Sequence, residues 1–345
     1  MNNTIMFKEI IEQPERIKNC HDYNKEKISE IGSVIEKFKP QNIVIVGRGT
    51  SLHAGIYARY LLELYYHIPV SIASQSVFTV YDSYTDMSKS IVIGISQSGF
   101  GKDTLRTLEK ARNSGALTIS IVNNLNSEIA KATEYVLYCN AGECQAVPAT
   151  KSFTTTLYLI NSLVYALTKR KEIELNEDDI INAIEAGLKY HNLIKEKANK
   201  LRDFDDLFIL GRGLSLPLAM ETALKIKETS RIHVSSYPIS EFYHGPLAMI
   251  KKTIPVIIFG IEKEFTNDVE DILKRLKANN VPTLLISNNK DLINQHDNSI
   301  YIEDSNKLKT LFTATVIIQL LACELALLKG YNPDKNEQLL NIKTF

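Results

Sequence analysis

Short β-branched and aliphatic runs alternate along this chain with longer stretches whose apolar positions recur every three or four residues, the signature of strands alternating with amphipathic helices. Residues 7–37 predict a helix, with Pro14 near an early start and Lys39-Pro40-Gln41 closing it. A strand over 43–46 runs into Gly47-Arg48-Gly49-Thr50-Ser51, and a helix over 53–65 follows. A second buried strand, 91–95, leads through Ser96-Gln97-Ser98-Gly99 to a helix over 102–113. Further strands are expected at 117–122 and 135–139, then an apolar helix over 153–168. This alternation predicts an α/β fold with doubly wound, mostly parallel sheets flanked by helices.

The pattern then restarts. Leu207-Phe208-Ile209-Leu210-Gly211-Arg212-Gly213 repeats the form of Ile43-Val44-Ile45-Val46-Gly47-Arg48-Gly49 at an offset of 164 positions, 211 minus 47. Residues 255–260 match 91–96 at the same offset, and Phe312-Thr313-Ala314-Thr315 resembles Phe153-Thr154-Thr155-Thr156. Two tandem copies of one subdomain are expected. The expected limits are a helical segment at 1–40, a first copy at 41–171, a helical connection at 172–206, a second copy at 207–330 and a tail at 331–345.

Duplication separates fold from chemistry, because positions shared by both copies serve the backbone while positions in one copy are candidates for function. Glu228 lies opposite Leu64, Lys225 opposite Leu61 and His244 opposite Val80, so these polar residues belong to the second copy alone. Glu221, Lys225 and Glu228 share one helical face, and Gly245-Pro246 sets a turn at whose edge His244 stands. A carboxylate and an imidazole are the groups that move protons near neutrality. Taken alone, the same stretch also fits a solvated helix face and an ordinary turn histidine.

The hydroxyl loop Ser96-Gln97-Ser98 belongs to the first copy alone, since its counterparts are Gly260-Ile261-Glu262. Following a strand and preceding a helix, it can gather hydroxyl, amide and backbone N–H donors on one anion, with Thr50 and Ser51 as further donors. A single phosphate ester suits such a site, and the absence of a GxxxxGK[ST] or complete GxGxxG pattern argues against a nucleotide. A serine-rich strand-to-helix turn with a capping hydroxyl remains the alternative reading.

Composition narrows the field further. Lys plus Arg and Asp plus Glu each total 40, so zero formal charge gives no reason to expect a nucleic-acid or membrane-surface partner. The four cysteines, Cys20, Cys139, Cys144 and Cys323, lack CxxC spacing, which argues against a zinc site or a disulfide framework and fits a reduced cytoplasm. No metal and no cofactor are expected. The N-terminus does not read as a signal peptide, and the longest apolar stretch, 314–328, is interrupted by Gln319 and Glu324, so no membrane span is expected.

Several motifs in order carry a resemblance: EIIEQP at 9–14, GRGTSLHAG at 47–55, SQSG at 96–99, VPATKSFTT at 147–155, the second GRG with ALKIKE, and EFYHGPLAMI at 241–250. Together they resemble the sugar isomerase (SIS) family, specifically the isomerase region of glucosamine-6-phosphate synthase and its stand-alone relatives, among them aminosugar-phosphate deaminases and fructosamine-phosphate deglycases. The resemblance implies two tandem flavodoxin-like SIS subdomains. It implies that Ser51, Ser96, Gln97 and Ser98 hold a sugar 6-phosphate and that Val147 lines the pocket. It further implies that Glu228 moves a proton between C1 and C2, that Lys225 sits beside the reacting end, and that His244 assists ring opening, within a homodimer whose subunits share sites.

Two positions depart from the family pattern. Gly101 stands where the synthase has a threonine in the phosphate loop, with Lys102 beside it, and Asn341 stands where the synthase has an imine-forming lysine, with Lys343 two residues on. No glutaminase domain is expected before Phe7, so glutamine is not expected to supply nitrogen within this chain. The expected function is deamination with isomerisation of an aminosugar 6-phosphate. The alternatives are a fructosamine 6-phosphate deglycase and a non-catalytic phosphosugar-binding regulator.

Overall fold

Isoleucine, valine and leucine crowd the predicted strands because a parallel strand is covered on both faces. In the computed structural model, which describes residues 3–304 and 306–340, these runs form two five-stranded sheets. The first contains β1 (Asn42–Val46), β2 (Val70–Ile72), β3 (Ser90–Ser96), β4 (Leu117–Val122) and β5 (Tyr135–Tyr138). The second contains β6 (Asp206–Gly211), β7 (His233–Pro238), β8 (Val256–Gly260), β9 (Thr283–Ser287) and β10 (Ser299–Tyr301). Every strand pairing is parallel. Each sheet has the order second, first, third, fourth, fifth when its strands are counted along the chain, so both copies are the expected doubly wound α/β subdomain.

The chain divides into two compact units that do not follow the repeat strictly. One holds residues up to Pro14, Gln145–Thr150 and Asp179–Leu340; the other holds Glu15–Cys144 and Lys151–Asp178. In the second of these, Val44, Val46, Val92, Leu108 and Ile129 pack a core on the first sheet. In the other, Phe208, Leu210, Phe242, Ile258, Ile272 and Leu276 do the same on the second sheet.

The N-terminal helical region is two helices, Ile5–Ile11 and Gln13–Phe38, with Pro14 in the first turn of the longer one, where its missing N–H costs nothing.

The last long helix starts before the apolar stretch 314–328. Lys307–Leu328 is long and apolar enough to cross a membrane by length and composition, yet 89% of its most apolar window is buried inside the protein. It packs against the helices His191–Leu201 and Ser215–Ser230. The two polar residues that interrupt the run are internal fasteners: Gln13 Nε2 donates to Gln319 Oε1 at 2.7 Å, and Glu324 Oε1 meets His191 Nε2 at 3.1 Å. A helix apolar on all sides is what the core of a large α/β unit requires.

Candidate functional site

The first cluster is set by the switch in strand order. β1 and β3 are neighbours in register, with Val46 beside Gly94, and the chain leaves β1 for β2 on the other side, so the loops after β1 and β3 open at a topological switch point, where open α/β sheets take ligands. The first loop starts the helix Thr50–Leu61, placing Thr50 and Ser51 in its first turn. The second is the serine loop. Gly99, at φ +75°, turns the chain where a Cβ would fall 2.1 Å from Ser127 Oγ, so only glycine fits.

Hydrogen bonds fix that loop. Ser96 Oγ accepts from the Gly99 N–H at 3.1 Å and Ser98 Oγ from the Phe100 N–H at 3.4 Å, while Asn123 N–H donates to the Gln97 carbonyl at 3.1 Å. In both backbone contacts the serine oxygen acts as acceptor, leaving its own O–H to donate. Gln97 and Ser98 are exposed. Beneath the loops, Gln75 Nε2 donates to the Gly47 carbonyl at 2.9 Å and Arg48 pairs with Asp103. Gly101 starts the helix Lys102–Asn113 without a side-chain cap, and Lys102 is exposed.

The second cluster lies on the helix Ser215–Ser230. Ala219, Ala223 and Ile226 are buried, and so are Glu221 and Lys225, both at 0% exposure. Lys225 Nζ lies 3.5 Å from Glu221 Oε1 and 2.5 Å from Glu228 Oε2, and of the three only the Glu228 side chain is partly exposed, at 19%. Burial alone would pull the Lys225 pKa down, but the two carboxylates outweigh it, and the ammonium is held above its ordinary value. The Lys225 ammonium is thus held between two carboxylates.

Parts of the chain far away in sequence support this helix. Asn336 Nδ2 donates to the Glu228 carbonyl at 2.9 Å. The Asp334 carboxylate accepts from the amides of Ile5 at 2.9 Å and Met6 at 2.7 Å, and its carbonyl accepts from the Val147 N–H at 3.0 Å. Glu9 Oε1 accepts from the Gln145 N–H at 2.6 Å. The segment bearing Val147 is therefore part of the same unit as Glu228.

The structure brings Glu221, Lys225 and Glu228 together, and sets Thr50 and Ser51 in the helix turn that follows β1, the strand beside the one that leads into the Ser96, Gln97 and Ser98 loop. It does not join His244 to the lysine cluster: His244 sits exposed in the turn after the helix Ile239–Phe242, and among the described residues its side chain makes no hydrogen bond or ion pair. Asn341 and Lys343 lie outside the described residues. Asp334 and Asn336 were missed as supports, although the spacing of Asn332, Asp334 and Asn336 is an Asx-turn signal: Asn332 Oδ1 accepts from the Asp334 N–H at 2.9 Å and Asn336 Oδ1 from the Gln338 N–H at 3.1 Å.

Comparison with known proteins agrees with this architecture. The SIS domain model matches residues 38–166 and again 200–329. An isomerizing glutamine–fructose-6-phosphate aminotransferase from Sulfurisphaera tokodaii is 36% identical over 342 residues, which is 98% of this chain but 56% of that relative. Among solved structures, the C-terminal domain of glucosamine-fructose-6-phosphate aminotransferase from Francisella tularensis superposes with a TM-score of 0.86 at 27% identity, covering 97% of this chain and 98% of that one. The fold is shared also with glucosamine-6-phosphate deaminase from Thermotoga maritima, at a TM-score of 0.76 and 21% identity, covering 97% and 98%.

Proposed function

Because the chain belongs to the SIS domain family, we propose that it is a phosphosugar enzyme that deaminates and isomerises an aminosugar 6-phosphate, giving a ketose 6-phosphate and ammonia with uptake of water. The observation that carries the reading is the Glu221–Lys225–Glu228 group, an ion cluster on a mostly buried helix face that has no counterpart in the first repeat. A buried charged cluster is expensive as a structural element, and an exposed carboxylate edge on it suits proton transfer.

In this reading Ser51, Ser96, Gln97 and Ser98 donate to the phosphate, with Thr50 in the same helical turn and Lys102 offsetting the hydroxyl that Gly101 lacks. Glu228 takes the proton from the sugar carbon next to the carbonyl or iminium carbon and returns it to the neighbouring carbon, so no net proton is consumed in the isomerisation. Lys225 stays protonated, orients Glu228 and favours negative charge developing on the opened sugar. His244 passes a proton between the ring oxygen and the C1 hydroxyl, and Val147 borders the sugar. The exposure of His244 favours a homodimer in which that turn serves the site of the second subunit. Mixing Glu228→Gln and His244→Ala chains tests this, since restored turnover is expected only from shared sites.

Asn341 favours a second reading. An amide cannot form the imine that a lysine forms, which suits a deglycase whose fructosamine 6-phosphate substrate already carries nitrogen. Incubation with glucosamine 6-phosphate and with fructosamine 6-phosphates distinguishes the cases: ammonia supports the deaminase, glucose 6-phosphate with a released amine supports the deglycase, and saturable binding without turnover leaves a regulator.

A further inference from the structure

The second repeat keeps more of the phosphate-holding architecture than its chemistry uses. Ser215 stands 164 positions after Ser51 and likewise lies in the first turn of its helix. The Ser51 N–H donates to the Arg48 carbonyl at 3.1 Å, and the Ser215 N–H to the Arg212 carbonyl at 3.2 Å. Arg48 pairs with Asp103, and Arg212 with Asp268 at 2.6 Å. Gly49 and Gly213 both take positive φ, +52° and +62°. The loop after the third strand differs in kind: where the first repeat has Ser96, Gln97 and Ser98, the second has Gly260, Ile261 and Glu262 at the same offset, so a carboxylate stands at the place of Ser98.

The Glu262 side chain turns into the place a bound oxyanion would take. Its Oε1 accepts from the Ser215 N–H at 3.2 Å, and the Leu214 amide also donates to it. A Cβ on Gly213 would lie 2.7 and 2.9 Å from its two carboxylate oxygens, so the carboxylate rests against glycine backbone as a phosphate does in a glycine-lined turn. Glu262 is 7% exposed. Ser215 Oγ, in a residue 1% exposed, has no hydrogen-bond partner among the described residues, a buried hydroxyl left over beside that turn.

We propose that the second repeat retains an oxyanion pocket built like that of the first, and that the chain closes it with its own Glu262 carboxylate, so that one phosphate ester binds per chain rather than two. This rests on the reading that the serine loop of the first repeat holds phosphate. A filled pocket has a use. Ser215 and Glu228 are thirteen positions apart, about 20 Å along a helix, farther than a six-carbon sugar reaches from its phosphate. An ester held at the start of this helix could not present C1 and C2 to Glu228 of the same helix, and Glu262 excludes that unproductive complex.

Counting sites tests the proposal. Equilibrium dialysis with inorganic phosphate at saturation is expected to give one site per wild-type chain, one for Glu262→Gln and two for Glu262→Ser, which installs the first repeat's residue. In a Ser96→Ala/Ser98→Ala background the expected counts are none with Glu262 and one with Glu262→Ser. No gain on Glu262→Ser, or two sites in the wild type, overturns the proposal. Loss of the wild-type site alone, with the Glu262→Ser gain intact, sinks the reading of the serine loop and leaves this one standing. Should Glu262→Ser not fold, the wild type still decides by NMR: added phosphate is expected to move the amide signals of Ser98 and Gly99 and leave Leu214 and Ser215 unmoved, and a shift at Ser215 overturns the proposal.

Discussion

The two repeats share one strand order but treat matching helix positions in opposite ways. Leu61 of the first is fully buried and Leu64 is an exposed apolar residue, whereas at the same positions the second carries Lys225 and Glu228 bound to each other. The loops reverse this: the first repeat presents exposed Gln97 and Ser98, while the second buries Glu262. One scaffold thus places its polar chemistry at a loop in one copy and on a helix in the other, because the sheet fixes only the backbone and leaves each site to a few side chains.

The sharpest way to break this contrast is Glu228→Gln. Turnover is expected to fall by roughly 10²- to 10⁴-fold, the usual share of a general base, with substrate binding largely kept; steady-state rates beside calorimetric binding check it. Lys225→Leu imports the residue type of the first repeat. It leaves Glu221 buried without its cation and is expected to cost about 3–5 kcal/mol, measured by urea unfolding.

The contrast also predicts a pH dependence. Burial, set against the pull of Lys307 and of the Ser215 and Leu214 amides, with Glu264 adding to the rise, pushes the Glu262 carboxyl from 4.5 up to about 7. Between those values the folded chain holds a proton that the unfolded chain has released, so this contribution to stability is full below about pH 4.5 and is lost as pH rises through 7. The loss is on the order of 3 kcal/mol at most. Thermal unfolding between pH 5 and 8 is expected to show a steeper decline in the wild type than in Glu262→Gln. The smallest effect is that of Ser98→Ala, which removes one donor to a charged ester and is expected to weaken phosphosugar binding by about 1.5 kcal/mol, or roughly tenfold, in a calorimetric titration.

Most of the fold was legible because buried parallel strands are written as continuous aliphatic runs: 117–122 and the helix Lys102–Asn113 fall where the pattern puts them. The edge strands Val70–Ile72 and Ser299–Tyr301 were not, since three residues carry no period. Gln319 and Glu324 were legible as breaks in the apolar stretch 314–328, but not their buried partners Gln13 and His191, which lie far away in sequence. On the site, helical spacing put Glu221, Lys225 and Glu228 on one face, but did not show that Glu221 and Lys225 are fully buried. Asn336 and Asp334 act across 108 and 328 positions, distances at which local pattern says nothing.

The clasp of Asp334 on Ile5 and Met6 bears on how the molecule is made. Chains emerge from the ribosome N-terminus first and their domains fold as units, yet the start of the first helix has to wait for a carboxylate synthesised 328 residues later. The unit with the serine loop draws its described parts from Glu15–Cys144 and Lys151–Asp178 and can close while synthesis continues; the unit with Glu228 cannot. A nascent chain stalled short of Asp334 would carry a finished serine-loop unit and an unfinished Glu228 unit.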